Sequence, residues 1–157
     1  RSGDLRRGRA SLIGQVYHVT MTTHHRAPHF ANFWSARHVV NAIRQSDNDG
    51  ITETLAYVVM PDHLHWLFTL RSGTLSKAVA RVKAQVTRTS GAGTPLWQRG
   101  FFDHALRSEE SLADVARYIV ANPLRAGLVT RLADYPHWDA VWLREARAST
   151  RPQPVAP

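Results

Sequence analysis

Two histidines separated by one residue are the sharpest chemical feature of the sequence. His63 and His65 lie in a run of β-forming residues, and side chains two positions apart on a strand project from the same face. Neutral imidazole is a common ligand for divalent metals, and two imidazoles leave coordination positions for water or phosphate oxygens. The pair predicts a metal site that can contact substrate. The alternatives are chance and hydrogen bonding within a polar sheet face.

A tyrosine and an asparagine four residues apart form the second candidate group. Tyr118 and Asn122 fall in a helical pattern, in which this spacing places both side chains on one flank. A phenol is a weak nucleophile until a cation stabilises the phenolate or polarises the phosphorus that it attacks. A metal at the histidine pair can polarise the phosphorus. The oxygen of Asn122 is a hard donor of the kind that Mg²⁺ or Mn²⁺ accepts. The ordinary alternatives are that Tyr118 packs its ring and that Asn122, which precedes Pro123, ends the helix.

Basic residues near aromatic ones indicate where a nucleic acid can be held. An N-terminal arm can make salt-dependent phosphate contacts, the segment after the first strand can line a groove, and an arginine among aromatic residues can help to stack a base. The alternatives are that the arm only keeps the protein soluble, that the segment after the first strand is an exposed turn, and that the aromatic residues pack in the core. The predicted nucleic-acid-binding residues are Arg6, Arg7, Arg9, His24, His25, Arg26 and Arg99.

These side chains must be positioned by alternating strands and helices. The apolar periodicity predicts, in chain order, a strand at 15–23, a helix at 33–46, strands at 54–60 and 63–70, a helix from Leu75, a strand at 96–107, and a third helix with Ser108 as N-cap and Glu109 and Glu110 in its first turn. The order predicts an α+β fold of the ferredoxin-like split βαβ type, with an additional C-terminal helix that carries Tyr118. In this plan the helices cover one face of an antiparallel sheet and leave the other face open.

The length and composition predict one domain between two arms. With 157 residues and 43% hydrophobic content, the chain can bury one core but not two of ordinary size. Residues 1–11 form a basic N-terminal arm, residues 12–143 a single catalytic domain, and residues 144–157, which contain three prolines, a flexible tail.

The charge and the missing cysteines narrow the possible functions. The formal net charge is +8, which favours a polyanionic partner. No cysteine is present, so disulfides, thiolate zinc sites and cysteine nucleophiles are excluded. No apolar stretch approaches the ~20 residues of a membrane helix. We therefore expect a cytoplasmic protein that does not enter membranes.

Three motifs resemble those of the REP-associated tyrosine transposases, relatives of the single-tyrosine, His-hydrophobic-His (HUH) transposases of bacterial insertion sequences. The motifs are Tyr57–Trp66, Leu96–His104 and Ala116–Leu128, and the similarity extends from about Tyr17 to Leu143. By this resemblance, His63 and His65 correspond to the metal-binding pair and Tyr118 to the nucleophile. Asn122 falls where relatives place a polar metal-site residue.

The resemblance also implies a reaction and a partner. Tyr118 would attack a phosphate of single-stranded DNA beside a REP-type hairpin, a 3′-hydroxyl would leave, and a 5′-phosphotyrosine bond would form with the help of Mg²⁺ or Mn²⁺. It implies a bacterial, DNA-associated protein that is a monomer rather than an obligate dimer. Two other functions remain open, which are a regulatory protein that binds REP hairpins with weak or no cleavage, and a metal phosphodiesterase in which water attacks.

Overall fold

The computed structural model describes residues 11–91, 93, 95–107 and 110–141. Residues 1–10 of the predicted arm, with Arg6, Arg7 and Arg9, lie outside this part of the chain, as does the whole predicted tail. Within it, the strands are β1 (Val16–Thr22), β2 (Thr52–Met60), β3 (His63–Leu70), β4 (Phe102–Ala105) and β5 (Trp138–Ala140). The α-helices are α1 (Phe33–Asn48), α2 (Leu75–Ser90), α3 (Leu112–Val120) and α4 (Asn122–Arg125).

The strands form one antiparallel sheet in the order β4-β1-β3-β2-β5. The first four follow the ferredoxin-like order, so the predicted α+β fold is confirmed. Strand β3 is central, and its residue His65 lies opposite Thr20 of β1 and Val58 of β2. The short edge strand β5 was not predicted, and it pairs with β2 beyond the ferredoxin-like core.

One face of the sheet packs against α1 and α2. Alternate residues of β3, among them Leu64, Trp66 and Phe68, are fully buried there with the apolar stripes of the two helices. The indole nitrogen of Trp66 donates to the Thr54 hydroxyl at 2.9 Å, which satisfies its buried polar group. This face holds most of the core and fixes which residues of β3 point the other way.

The opposite face is not open, which corrects the expectation from the split βαβ plan. Helix α3 carries Ala116, Ile119 and Val120 onto it, where they pack with Leu67 of β3 and Val58 of β2. The apolar side of α3 must be buried somewhere, and the face not used by α1 and α2 is the one available. Since Leu67 is two residues from His65, α3 lies on the face from which the histidine pair projects.

Two predicted boundaries were wrong. The strand predicted at 96–107 is limited to β4, preceded by an isolated bridge between Trp97 and Thr23. Helix α3 begins at Leu112, and its N-cap is Ser111, whose hydroxyl accepts the backbone N–H of Asp114 at 3.2 Å. Ser108 and Glu109 lie outside the described residues. Glu110 precedes the helix instead of joining its first turn.

Candidate metal and tyrosine site

The histidine pair projects from the start of β3 on the face that α3 covers. The two rings meet edge to face with centres 4.9 Å apart, and both side chains are half-buried. The common face predicted for His63 and His65 from their spacing is confirmed by the strand bounds and register. Both side chains keep part of their surface exposed, so both can contact a ligand from solvent.

A carboxylate orients the first histidine. Nδ1–H of His63 donates to Oδ1 of Asp62 at 2.7 Å, and the Arg26 side chain donates through Nε to Oδ2 of Asp62 at 3.0 Å. Burial raises the pKa of Asp62, but the hydrogen bond and charge of His63 and the charge of Arg26 outweigh this and lower the pKa. With Nδ1 bound to a carboxylate, Nε2 is the ring nitrogen that can bind a metal.

The second histidine is held by strand β1. Nδ1 of His65 lies 3.0 Å from Nε2 of His18 and 3.1 Å from the Thr20 hydroxyl. Burial, the neighbouring His63 and His18, and the Arg125 guanidinium lower the pKa of His65 to about 3. Burial, followed by the neighbouring His104, also lowers the pKa of His18. The neutral imidazole required of a metal ligand is therefore the favoured form of His65 at neutral pH.

The phenol of Tyr118 is accessible, with 64% of the residue surface exposed. The guanidinium carbon of Arg125 lies 4.0 Å from the centre of its ring, and Nη2 of Arg125 donates to the Tyr118 carbonyl at 2.7 Å. The positive charge of Arg125 also lowers the pKa of His65. The same arginine therefore contacts Tyr118 and influences the protonation of the histidine pair. The alternative in which Tyr118 packs its ring into the core is not what the structure shows.

Asn122 begins α4 and does not continue the helix of Tyr118, which ends at Val120. Its Nδ2 donates to the Ile119 carbonyl at 2.7 Å, so the side-chain oxygen is the part of the amide that can act as a ligand. Two imidazole nitrogens and one amide oxygen fit a divalent cation that keeps positions for substrate oxygens. The described residues contain no cluster of three or more His, Cys, Asp or Glu side chains that could hold a metal ion, so the fit depends on these mixed donors.

The described DNA-binding candidates gather at the end of the sheet where His63 lies. His24, His25 and Arg26 form a single 3₁₀ turn after β1, and Arg99 is exposed in a loop that hydrogen-bonds to the end of β1 through the backbone of Gln98. The side chain of Arg26 also forms an ion pair with Asp62.

Four side chains at the site were not singled out from the sequence, namely Asp62, His18, Thr20 and Arg125. His18 and Thr20 stand on the polar side of the alternation of β1, and Asp62 directly precedes His63. These signals show the face or the neighbourhood of each residue. The contacts themselves follow from the pairing of β1 with β3 and from the turn between α3 and α4.

Comparison with known proteins identifies the family. Residues 11–122, well over half of the chain, match the family described as Transposase IS200 like. The chain belongs to this family. The transposase class predicted from the motifs is thereby confirmed. The predicted resemblance to REP-associated tyrosine transposases is confirmed by a curated relative and a solved structure of that kind.

Two curated relatives of this IS200-like chain come from bacteria. The REP-associated tyrosine transposase of Escherichia coli K12 is 33% identical over 98 residues, which are 61% of this chain and 59% of that protein. A relative from Haemophilus influenzae is 29% identical over 116 residues, covering 64% of this chain and 65% of its own. The chain thus spans about six tenths of the length of these relatives.

A solved structure of a REP-associated tyrosine transposase bound to a REP hairpin shares the fold of this IS200-like chain. It is 26% identical and superposes with a TM-score of 0.75 over 95% of this chain and 89% of that one. No helix in the described part of the chain is long and apolar enough to span a membrane.

Proposed function

We propose that this protein is a transposase that cleaves and rejoins single-stranded DNA at REP-type hairpins, with Tyr118 as the nucleophile. The observation that carries the proposal is that α3, the helix with the exposed Tyr118, packs on the face of the sheet from which the half-buried His63 and His65 project. The hairpin is proposed because both the E. coli relative and the hairpin-bound structure are REP-associated tyrosine transposases.

The metal site would consist of Nε2 of His63, Nε2 of His65 and the amide oxygen of Asn122. Mg²⁺ or Mn²⁺ bound there would polarise the scissile phosphate and offset the charge that develops during in-line attack. The protein prepares this site by its hydrogen bonds, since Asp62 and the pair His18 and Thr20 occupy the other ring nitrogens.

Tyr118 supplies the attacking oxygen. Its phenol loses a proton as the oxygen bonds to phosphorus, the bond from phosphorus to the 3′ oxygen breaks, and that oxygen leaves as a 3′-hydroxyl after gaining a proton. The product is a 5′-phosphotyrosine ester. Because the ester conserves the energy of the broken phosphodiester, attack by a 3′-hydroxyl can rejoin a strand without ATP. Arg125 orients the phenol by stacking against its ring.

Basic groups would hold the DNA around this centre. The arm with Arg6, Arg7 and Arg9 and the surface with His24, His25, Arg26 and Arg99 are proposed to contact phosphates or bases, in line with the net charge of +8. We propose that the protein acts as a monomer, in the bacterial cytoplasm where the DNA is.

A Tyr118→Phe variant tests the proposal. With single-stranded REP hairpins and Mn²⁺, the wild type should form a covalent protein–DNA adduct on denaturing gels, and the variant should lose the adduct by at least about a thousandfold while binding the hairpin normally. Tyr135→Phe is the matched control, because its hydroxyl binds the Val59 carbonyl at 2.5 Å and is assigned no role in the reaction.

The other outcomes separate the alternatives. Tight hairpin binding by the wild type without any metal-dependent product would favour a regulatory binding protein. Cleavage without an adduct, retained in Tyr118→Phe, would favour a phosphodiesterase that uses water. Either result would overturn the assignment of Tyr118 as nucleophile.

A further inference from the structure

Two adjacent aromatic side chains stand exposed at the start of α1. The exposed fractions are 47% for Phe33 and 70% for Trp34, and their rings meet edge to face with centres 5.1 Å apart. Oδ1 of Asn32 accepts the backbone N–H groups of Trp34 at 3.0 Å and Ser35 at 3.1 Å. This capping fixes the backbone beneath Phe33 and Trp34, which we call the aromatic patch.

The aromatic patch lies at the end of the sheet where the histidine pair begins. The segment before α1 is tied to the β2–β3 turn, because the N–H of Phe30 donates to the Pro61 carbonyl at 2.9 Å. On its other side, the Phe33 ring is 5.2 Å from the ring of His137, whose carbonyl accepts the N–H of Val59 at 2.8 Å. The next residue of β2, Met60, is the cross-strand partner of His63.

The segment that carries the patch is cationic. Residues 23–46 contain three arginines and four histidines but no Asp or Glu, and of the three arginines Arg26 is paired with Asp62. Arg37 stands one helical turn after the patch and is close enough to add to the effect of burial in lowering the pKa of His137. A protein partner with an apolar surface would gain little from these charges, whereas a nucleic acid strand would match them with phosphates.

We propose that the aromatic patch stacks an unpaired nucleobase of the DNA strand next to the cleavage site, with Trp34 as the stacking surface and Phe33 as its edge support. Any base presents a π-face, so such a contact positions a strand without reading its sequence, while nearby cations bind the adjoining phosphates. This inference rests on the proposed function for its choice of strand, and it adds a contact outside the metal and tyrosine site.

Binding measurements on Trp34 variants test the inference. The probe is a REP hairpin with single-stranded flanks, titrated by fluorescence anisotropy against wild type, Trp34→Leu and Trp34→Phe. Trp34→Leu keeps an apolar side chain without a π-face and should bind about tenfold more weakly, whereas Trp34→Phe should retain most of the affinity. Ile13→Ala is the control, because Ile13 is 59% exposed and its neighbour Gly14 hydrogen-bonds to Leu70, at the far end of β3.

Abasic substitutions in the flanks locate the stacked base. One abasic position should weaken binding to the wild type but not to Trp34→Leu, since the variant has already lost that contact. Equal affinity of Trp34→Leu and wild type, with adduct formation intact, would overturn the stacking contact and leave the proposed function standing. A change in the sedimentation of Trp34→Leu without a change in DNA affinity would also overturn it, because the patch would then be a contact between copies of the chain.

Discussion

At the scale of single residues, the site is defined by which nitrogen of each histidine is already engaged. A neutral imidazole has one N–H and one lone pair, so a hydrogen bond donated from Nδ1 leaves the lone pair of Nε2 for a metal. Asp62 imposes this state on His63, and the contacts of Nδ1 of His65 with His18 and Thr20 allow it there. The same tautomer is therefore open to both histidines, and it is the one that the proposed metal site requires.

The carboxylate of Asp62 should control metal affinity without touching the metal. Asp62→Ala removes the acceptor for Nδ1 of His63 and should weaken Mn²⁺ binding about 10- to 100-fold, as measured by electron paramagnetic resonance on the DNA-free protein. Asp62→Asn keeps an acceptor oxygen and should recover part of the affinity.

Asp114→Ala provides the matched control for that loss. Asp114 is an exposed carboxylate in the first turn of α3, paired with Arg117, and its removal should leave Mn²⁺ affinity unchanged. Equal affinities of wild type and Asp62→Ala would show that His63 does not need its carboxylate partner, or that it is not a ligand.

The candidate residues that could be identified from the sequence are those whose placement depends on local spacing. The alternation of β3 was sufficient to place His63 and His65 on one face, because that strand begins at His63 as predicted. Contacts of His65 with His18 depend on the pairing register of β1 with β3, across 47 positions of sequence. Alternation identifies the face of a strand, but it does not determine its register.

At the scale of elements, the position of α3 decides whether tyrosine and histidines can cooperate. The helix carries Tyr118 outward and packs by its apolar side against Leu67 and Val58.

The start of α3 was predicted too early because two serines could serve as its N-cap. Ser108 is followed directly by two glutamates, whereas the actual N-cap, Ser111, is followed three residues later by Asp114. The side chain of Glu110 instead accepts from the Arg107 N–H at 2.9 Å and lies 3.0 Å from Nε2 of His104. Strand β5 has only three residues, too few for the alternation of apolar and polar residues in a strand to be recognised in the sequence.

Loosening α3 should impair cleavage more than an equal loss of stability elsewhere. Ile119 is fully buried on the side of α3 that faces the sheet. Ile43 of α1 is 1% exposed and packs on the opposite face of the sheet. Replacing either with Ala should lower the free energy of unfolding by about 2–5 kcal/mol. At a temperature where both variants remain folded, Ile119→Ala should form the covalent adduct more slowly than Ile43→Ala. Equal adduct rates would mean that the packing of α3 does not set the position of Tyr118.

At the scale of the whole molecule, buried histidines make stability depend on pH. Burial is the first cause that lowers the pKa of His18, His65 and His137, while the same side chains in the unfolded chain titrate near the ordinary value of about 6.5. Below that value the unfolded state binds more protons than the folded state, so folding weakens as the pH falls. Asp62, whose pKa is lowered, changes the free energy of unfolding only at more acidic pH. The histidines change it close to neutral pH.

The metal-free protein should therefore lose stability between pH 6.5 and pH 5. With a folded pKa of about 3, His65 alone should contribute roughly 1–2 kcal/mol to the loss over this interval, and the loss should continue until the pH approaches that folded value. Urea unfolding in the presence of EDTA at a series of pH values measures the slope, which should be smaller in His65→Gln. Should the slope of the variant equal that of the wild type, His65 would not be held neutral by the fold, and its lone pair would not be prepared for a metal.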